Sequence, residues 1–497
     1  MNYLEGQELE EEDPISRAFE SIVKIHCTHK EPDYLIPWQN TMQSSSTSSG
    51  FVVQLPTDVP EKKQTVIITN AHSVEYASII QVQKRGDSSK FAAELVSIGQ
   101  DCDLAVLKVE DDDFWHNVPI DLEFGELPEL QEEVYVVGFP TGGDSMSITS
   151  GVVSRIELQQ YAQAGTHLLA LQIDAAINAG NSGGPVLNED GQVVGVAFQS
   201  LVNAENIGYV VPVPIVQHFL QDLIRCGDYQ GFCSVGMGLS MLENESFRKS
   251  LGMKKGQSGI YVRSLAPRSL AKGILKPRDV IMELDGIRVG NDGNIPFRPG
   301  ERVSVIAYLQ TKFSNDIVNL KVLRGGEEKM LEVPVGIYPA LVPSHWNSQA
   351  PPYLIVAGLV FTVLSVPYLQ ATNALEEYVD SNLSHLIGFM NENQPEDMDE
   401  VIILCQVLAH KQNLGYDKAN DWHLTKCNGI ALRNLKHFQT VLEEFQSSDV
   451  SDEGNDYLNL EFGPDEGRTV ILERSCLDQV TKDVCEEHSI RETLRLL

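Results

Sequence analysis

At 497 residues the chain is too long for one hydrophobic core and suits about two to four domains. Its 70 acidic residues against 37 basic ones leave a net charge of −33. No basic stripe offsets that repulsion, which excludes nucleic acid as a general partner, and the acidity reads as solubility.

The chain begins with an acidic segment, residues 1–19, whose opening MNYLEGQELEEEDP has no basic residue before Arg17. A secretory signal needs a basic then apolar start, and a transit peptide is poor in acids. Cytoplasm or nucleus is therefore the expected compartment, with plastid or mitochondrion the alternative should a presequence be missing. Residues 20–227 alternate short β-branched runs with turn residues: SGFVVQL (49–55), TVIIT (65–69), LAVLKV (104–109), EVYVVGF (133–139) and VVGVAF (193–198). This is the pattern of an all-β barrel or sandwich. A helix over 214–226 is predicted to close the unit.

A second unit spans 228–338 and a third 339–497. They share an echo, ELDGIRV (283–289) against KCNGIAL (426–432), in which Asp-Gly and Asn-Gly predict two-residue hairpin turns. The longest apolar run, LIVAGLVFTVLSV (354–366), is too short for the roughly 20 residues of a membrane-spanning helix and predicts buried strands. No integral membrane segment is expected. The acidic stretch 447–466 reads as a solvated loop. The eight cysteines include no C-x-x-C pair and no zinc spacing, and none lies between Cys27 and Cys102. A reducing compartment fits that usage.

Three segments carry chemistry. INAGNSGGPV (177–186) exposes Ser182 on a turn that Gly180, Gly183 and Gly184 make tight. A hydroxyl is a nucleophile only when a base takes its proton, and a developing oxyanion needs backbone N–H groups aimed at it. Gly180 and Ser182 are the expected donors, with Asn181 between them in the same oxyanion-hole turn. VIITNAHSV (66–74) delivers His72 past the end of an apolar strand, and DCDLAVLKV (101–109) puts Asp103 at the mouth of another. A carboxylate there needs a partner, and the imidazole N–H of His72 supplies one. Asp101 is the second candidate and is expected to be solvated. A Ser182–His72–Asp103 row predicts loss of serine reactivity below about pH 6, where the imidazole takes a proton.

The order His72, Asp103, Ser182 is that of the chymotrypsin arrangement. TNAHSV, DCDLAVLKV and GNSGGPV together resemble the Deg/HtrA proteases, and ENIGYVVPVPIVQHFL (205–220) with PPYLIVAGLVFTVLSVPYL (351–369) resembles their plant and algal type. The resemblance implies a mainly β fold: a chymotrypsin-like protease domain of two six-stranded barrels over 20–227, a first PDZ domain over 228–338 and a second PDZ-like domain over 339–497. It implies an ATP-independent serine endopeptidase acting on unfolded or damaged polypeptides, homo-oligomers built from trimers, and no metal or nucleotide cofactor.

In such a fold the pocket for the residue before the cut maps to Ala176, to Phe198, Gln199 and Ser200, and to Ile207. With no acid at its base and Ile207 filling it, cleavage is expected after small or medium aliphatic residues. The loop of the first PDZ domain that captures a peptide C-terminus maps to Ser234, Val235, Gly236 and Met237. The second shows no convincing counterpart. The rival readings are a non-proteolytic chaperone or PDZ scaffold on a relic barrel, and an esterase using the same triad.

Overall fold

The computed structural model describes residues 14–496 apart from 56–63, 117–121, 162–165, 201–206, 376–379, 448–455 and 466. Part of the acidic N-terminal segment and part of the 447–466 stretch lie outside the described residues.

The β-branched runs of the first unit form two successive antiparallel sheets. The first has seven strands in the order Lys90–Ala92, Ala77–Lys84, Ile22–His29, Ser44–Gln54, Thr65–Thr69, Leu104–Lys108, Glu94–Gly99. The second closes into a barrel of six, His167–Ile173, Gly208–Pro212, Val193–Ser200, Pro185–Leu187, Glu133–Gly138 and Ser147–Gln160. Among the described residues the first half has seven strands hydrogen-bonded as an open path, where a six-stranded barrel was expected. The two halves share a core. Phe51, Ile68 and Leu104 from the first pack in one cluster with Val137, Leu168, Val196 and Val211 from the second. Each such fully buried side chain contributes about 1.5–3 kcal/mol.

The helix Val213–Cys226 adds Ile215, Val216, Phe219, Leu220 and Leu223 to that core. It ends where Gly227, at φ 82°, takes the left-handed cap conformation and donates to Leu223 O.

The second unit is built on a sheet in which Val280–Leu284 pairs with Ile260–Leu265 and Ile317–Arg324, and Met237–Ser240 forms one edge. The third unit carries an eight-stranded sheet backed by the helices Leu435–Ser447 and Leu477–Glu487. The apolar run is here a buried hairpin, Tyr353–Val356 with Leu359–Val363. No helix among the described residues is long and apolar enough to cross a membrane.

The echo between the units is structural. Asp285 and Gly286 turn the chain with φ of 47° and 82°, Asn428 and Gly429 with 48° and 79°. Each turn joins one strand to a short return strand, Leu284 facing Ile287 and Cys427 facing Ile430.

The three units touch. Arg298 donates to Leu127 O and Pro128 O, joining the second unit to the first. Arg268 reaches the third unit at Pro395 O and Asp399. Trp38 of the first unit packs edge-on to Tyr353 of the third, with ring centroids 6.3 Å apart, and Arg495 donates to Pro37 O.

Candidate active site

The register of the first sheet brings two of the three motifs together. Thr69 pairs with Ala105, so His72, three residues beyond one strand, meets Asp103, the residue immediately before the other. Asn70 fixes the approach by donating from Nδ2 to Asp103 O over 2.9 Å. Asp103 sits at φ 54°, a conformation its short polar side chain tolerates, and is 1% exposed. Its Oδ2 lies 2.8 Å from His72 Nδ1, and its Oδ1 accepts the His72 backbone N–H at 3.0 Å. A carboxylate only accepts, so Nδ1 holds the ring proton and Nε2 is left as the acceptor. Burial alone would lower the pKa of His72. The charge of Asp103, its hydrogen bond and the charge of Glu75 outweigh it, and the pKa is raised above the ordinary 6.5.

Asp101 is not solvated as expected. Its Oδ2 accepts from Tyr229 OH at 2.9 Å, and burial raises its pKa. It interacts by charge with His345 near the start of the third unit, and its hydrogen-bond partner is Tyr229 and not His72.

The turn bearing Ser182 lies against the end of the Thr65–Thr69 strand. A Cβ placed on Gly183 would meet Thr69 Oγ1 at 2.4 Å and Asn70 N at 3.0 Å, so the turn passes in contact with the chain just ahead of His72. Gly180 and Gly183 both have positive φ, 97° and 82°. Among the described residues no hydrogen bond joins the Ser182 hydroxyl to His72.

The backbone of the turn sorts the expected oxyanion donors. Asn181 N–H donates to Asn178 O at 2.9 Å, so the inclusion of Asn181 is corrected: its amide is spent inside the turn. Its side chain is fully buried, with neither polar atom hydrogen-bonded. The N–H groups of Gly180 and Ser182 make no hydrogen bond to the described residues.

Of the expected pocket residues, Ala176 is exposed, and its carbonyl accepts from Thr149 Oγ1. Phe198 is corrected: it is 4% exposed, and its ring stacks on Tyr161 at 4.7 Å within the core, because that position of the strand faces inward. Gln199 and Ser200 continue the strand opposite Tyr209 and Gly208, and their side chains lie outside the described residues. Ile207 is half-buried at the start of the next strand. Sequence reasoning missed the buried Ile177, which presses on Gly208 closely enough that a Cβ there would lie 2.9 Å from its Cδ1.

In the second unit Ser234, Val235 and Gly236 lead into the edge strand that Met237 begins, with Ser234 bridged to Gly336. Ser234 N–H donates to Gly336 O and Gly236 N–H to Ser234 Oγ, so two amides of this loop are already engaged. Val235 is wholly buried, and Tyr338 closes on Gly236. Among the described residues no group of three or more His, Cys, Asp or Glu side chains is placed to hold a metal ion.

Known proteins repeat this organisation. Residues 48–196 match a trypsin-like peptidase domain, and residues 342–494 match a PDZ domain. The chain is 39% identical to Protease Do-like 2, chloroplastic, of Arabidopsis thaliana over 473 residues, covering 95% of this chain and 74% of that protein. It is 37% identical to Protease Do-like 4, mitochondrial, of the same plant, covering 96% and 85%. The solved structure of the HtrA-type protease AlgW with a tripeptide is 25% identical, with a TM-score of 0.50, covering 66% of this chain and 97% of that one. The compartments in the two plant names give no support to the expectation of cytoplasm or nucleus.

Proposed function

We propose that this chain, which belongs to the Deg/HtrA family of serine proteases, cuts unfolded or damaged polypeptides without ATP, through an acyl-enzyme formed on Ser182. The observation that carries this reading is the His72–Asp103 pair at 2.8 Å, set against a glycine turn whose Gly180 and Ser182 amides are uncommitted. Ser182 attacks the scissile carbonyl. His72 Nε2 takes the proton and returns it to the leaving amine, and Asp103 holds the imidazole in the required tautomer. The oxyanion rests on the two free amides. A hydroxyl with no hydrogen bond to the imidazole among the described residues fits a resting form, which completes its row as the 176–183 turn orders around a substrate.

Specificity follows from apolar contact. Ile207 and the buried Ile177 beside Gly208 favour small or medium aliphatic residues before the cut. The edge strand Met237–Ser240 is the surface on which a peptide C-terminus adds as a strand, once Tyr338 yields the Gly236 loop. Assembly is into homo-oligomers built from trimers, and the compartment is plastid or mitochondrion.

Casein digestion by wild type and Ser182→Ala, run beside fluorophosphonate labelling, tests the reaction. Digestion and label confined to wild type are expected. Equal digestion by both variants, or none by either, would replace this reading with a scaffold. A peptide panel cut mainly after Arg would overturn the specificity.

A further inference from the structure

Ser49 packs directly against the turn that carries the nucleophile, although no catalytic motif contains it. It is on the strand Ser44–Gln54 and is fully buried. Its N–H donates to Ser182 O at 3.0 Å. Its hydroxyl donates to Gly180 O at 2.7 Å and accepts the Phe139 N–H at 2.7 Å. Its own carbonyl accepts from Thr69 Oγ1 at 2.8 Å.

Three glycines make room for it. A Cβ on Gly138 would stand 2.7 Å from Ser49 Oγ, one on Gly183 2.3 Å from Ser49 O, and one on Gly184 3.3 Å from Ser49 Cβ.

The consequence follows from peptide planarity. In a trans peptide the C=O and the next N–H point in opposite directions, so anchoring a carbonyl aims the amide that follows it. All four carbonyls from 179 to 182 are anchored: Ala179 O by Thr141 N, Gly180 O by Ser49 Oγ, Asn181 O by Gly184 N, and Ser182 O by Ser49 N. The anchored Ala179 and Asn181 carbonyls leave the amides of Gly180 and Ser182 facing away from the protein contacts. Ser49 holds the two alternate carbonyls, and so stops the Asn181–Ser182 peptide between them and the Ala179–Gly180 peptide beside them from flipping.

We propose that Ser49 is a positioning residue for catalysis: its hydroxyl and amide clamp the nucleophile turn from behind and hold the Gly180 and Ser182 N–H groups in the geometry that receives the oxyanion. This rests on the reading of those two amides given above. The clamp acts on charge that appears only in the transition state, so its loss should lower kcat and leave KM alone.

The test is steady-state kinetics on Ser49→Ala and Ser49→Cys, with Ser182→Ala as the inactive control. Ser49→Cys keeps the volume and replaces the hydroxyl with a weak donor, so it reports if the alanine variant does not fold. The expected result is a fall in kcat of about 100-fold, the scale of one lost oxyanion donor. KM should stay within twofold, and the acidic limb of the pH profile, set by His72 and Asp103, should not move. A folded variant with kcat within threefold of wild type, or with the loss in KM alone, overturns the proposal. Wild type no more active than Ser182→Ala would instead sink the protease reading, so the two failures are distinguishable.

Discussion

His72 lies where two opposed effects act on one ring, burial against the negative charge of Asp103, and the charge prevails. Because only the neutral imidazole can accept the Ser182 proton, activity falls as pH drops through the raised pKa. The acidic limb of kcat/KM should therefore lie above 6.5, higher than the pH 6 read from an unperturbed histidine. Asp103→Asn removes the acceptor that fixes the tautomer and should cost about 10⁴-fold in kcat. A pH–rate profile of both enzymes checks this, and a wild-type limb at pH 6 or below would contradict it.

Gly183→Ala should lose activity and stability together, because φ of 82° and a 2.3 Å approach to Ser49 O leave no room for the methyl. Melting and fluorophosphonate labelling would report both. At this scale the three side chains proposed as catalytic were legible because short local motifs announce them. Ser49 was not. Its partners Gly180 and Phe139 are 131 and 90 positions away, and nothing in the polar run SSSTSSG marks one serine above the others.

Among elements, the segment 345–348 does what no secondary-structure pattern foretold: it braces the loops that carry the His72–Asp103 pair. Asn347 N–H donates to Gln100 Oε1, Gln100 Nε2 donates to Glu75 Oε1 at 2.5 Å, and Tyr76 N–H donates to Ser348 Oγ. Burial lifts the Glu75 carboxyl to about 7. The folded state therefore binds the Glu75 proton between about pH 4.5 and 7 while the unfolded state has released it. Stability contributed by this group is present below 4.5 and lost as pH rises to 7. Glu75→Gln keeps a polar group of the same shape, and should raise the melting temperature at pH 8 relative to wild type while flattening the decline from 4.5 to 7. Thermal melts over that range decide it; an unchanged slope would show that other groups set the pH response. The hairpins were readable, since Asp-Gly and Asn-Gly dictate their own turns. The brace was not, because its bonds cross 247 and 272 positions between loops without periodicity.

At the scale of the whole molecule the sequence indicated three units but not how they join. The joints consist of side chains with no motif, and His218 is the clearest case. It lies on the closing helix of the first unit, stacked at 4.7 Å on Phe232 and at 4.4 Å on Phe313 of the second unit, while Arg225 covers the same Phe313 ring at 3.8 Å. Asp222, Arg225 and Asp316 are the charged groups around it; burial dominates them and lowers its pKa. A lowered histidine pKa means that the unfolded chain takes up the proton first, near 6.5, so the joint is at full strength above that pH and weakens as pH falls below it. The loss is at most about 1.4 kcal/mol per pH unit, and stops growing once the folded ring is also protonated. His218→Phe keeps a ring between Phe232 and Phe313 and removes the titration. Between pH 7.5 and 5.5 the wild type should lose melting temperature and expand in small-angle scattering as the second unit loosens, whereas His218→Phe should do less of both. Equal expansion of the two proteins would place the acid sensitivity elsewhere, such as in the charge interaction of Asp101 with His345.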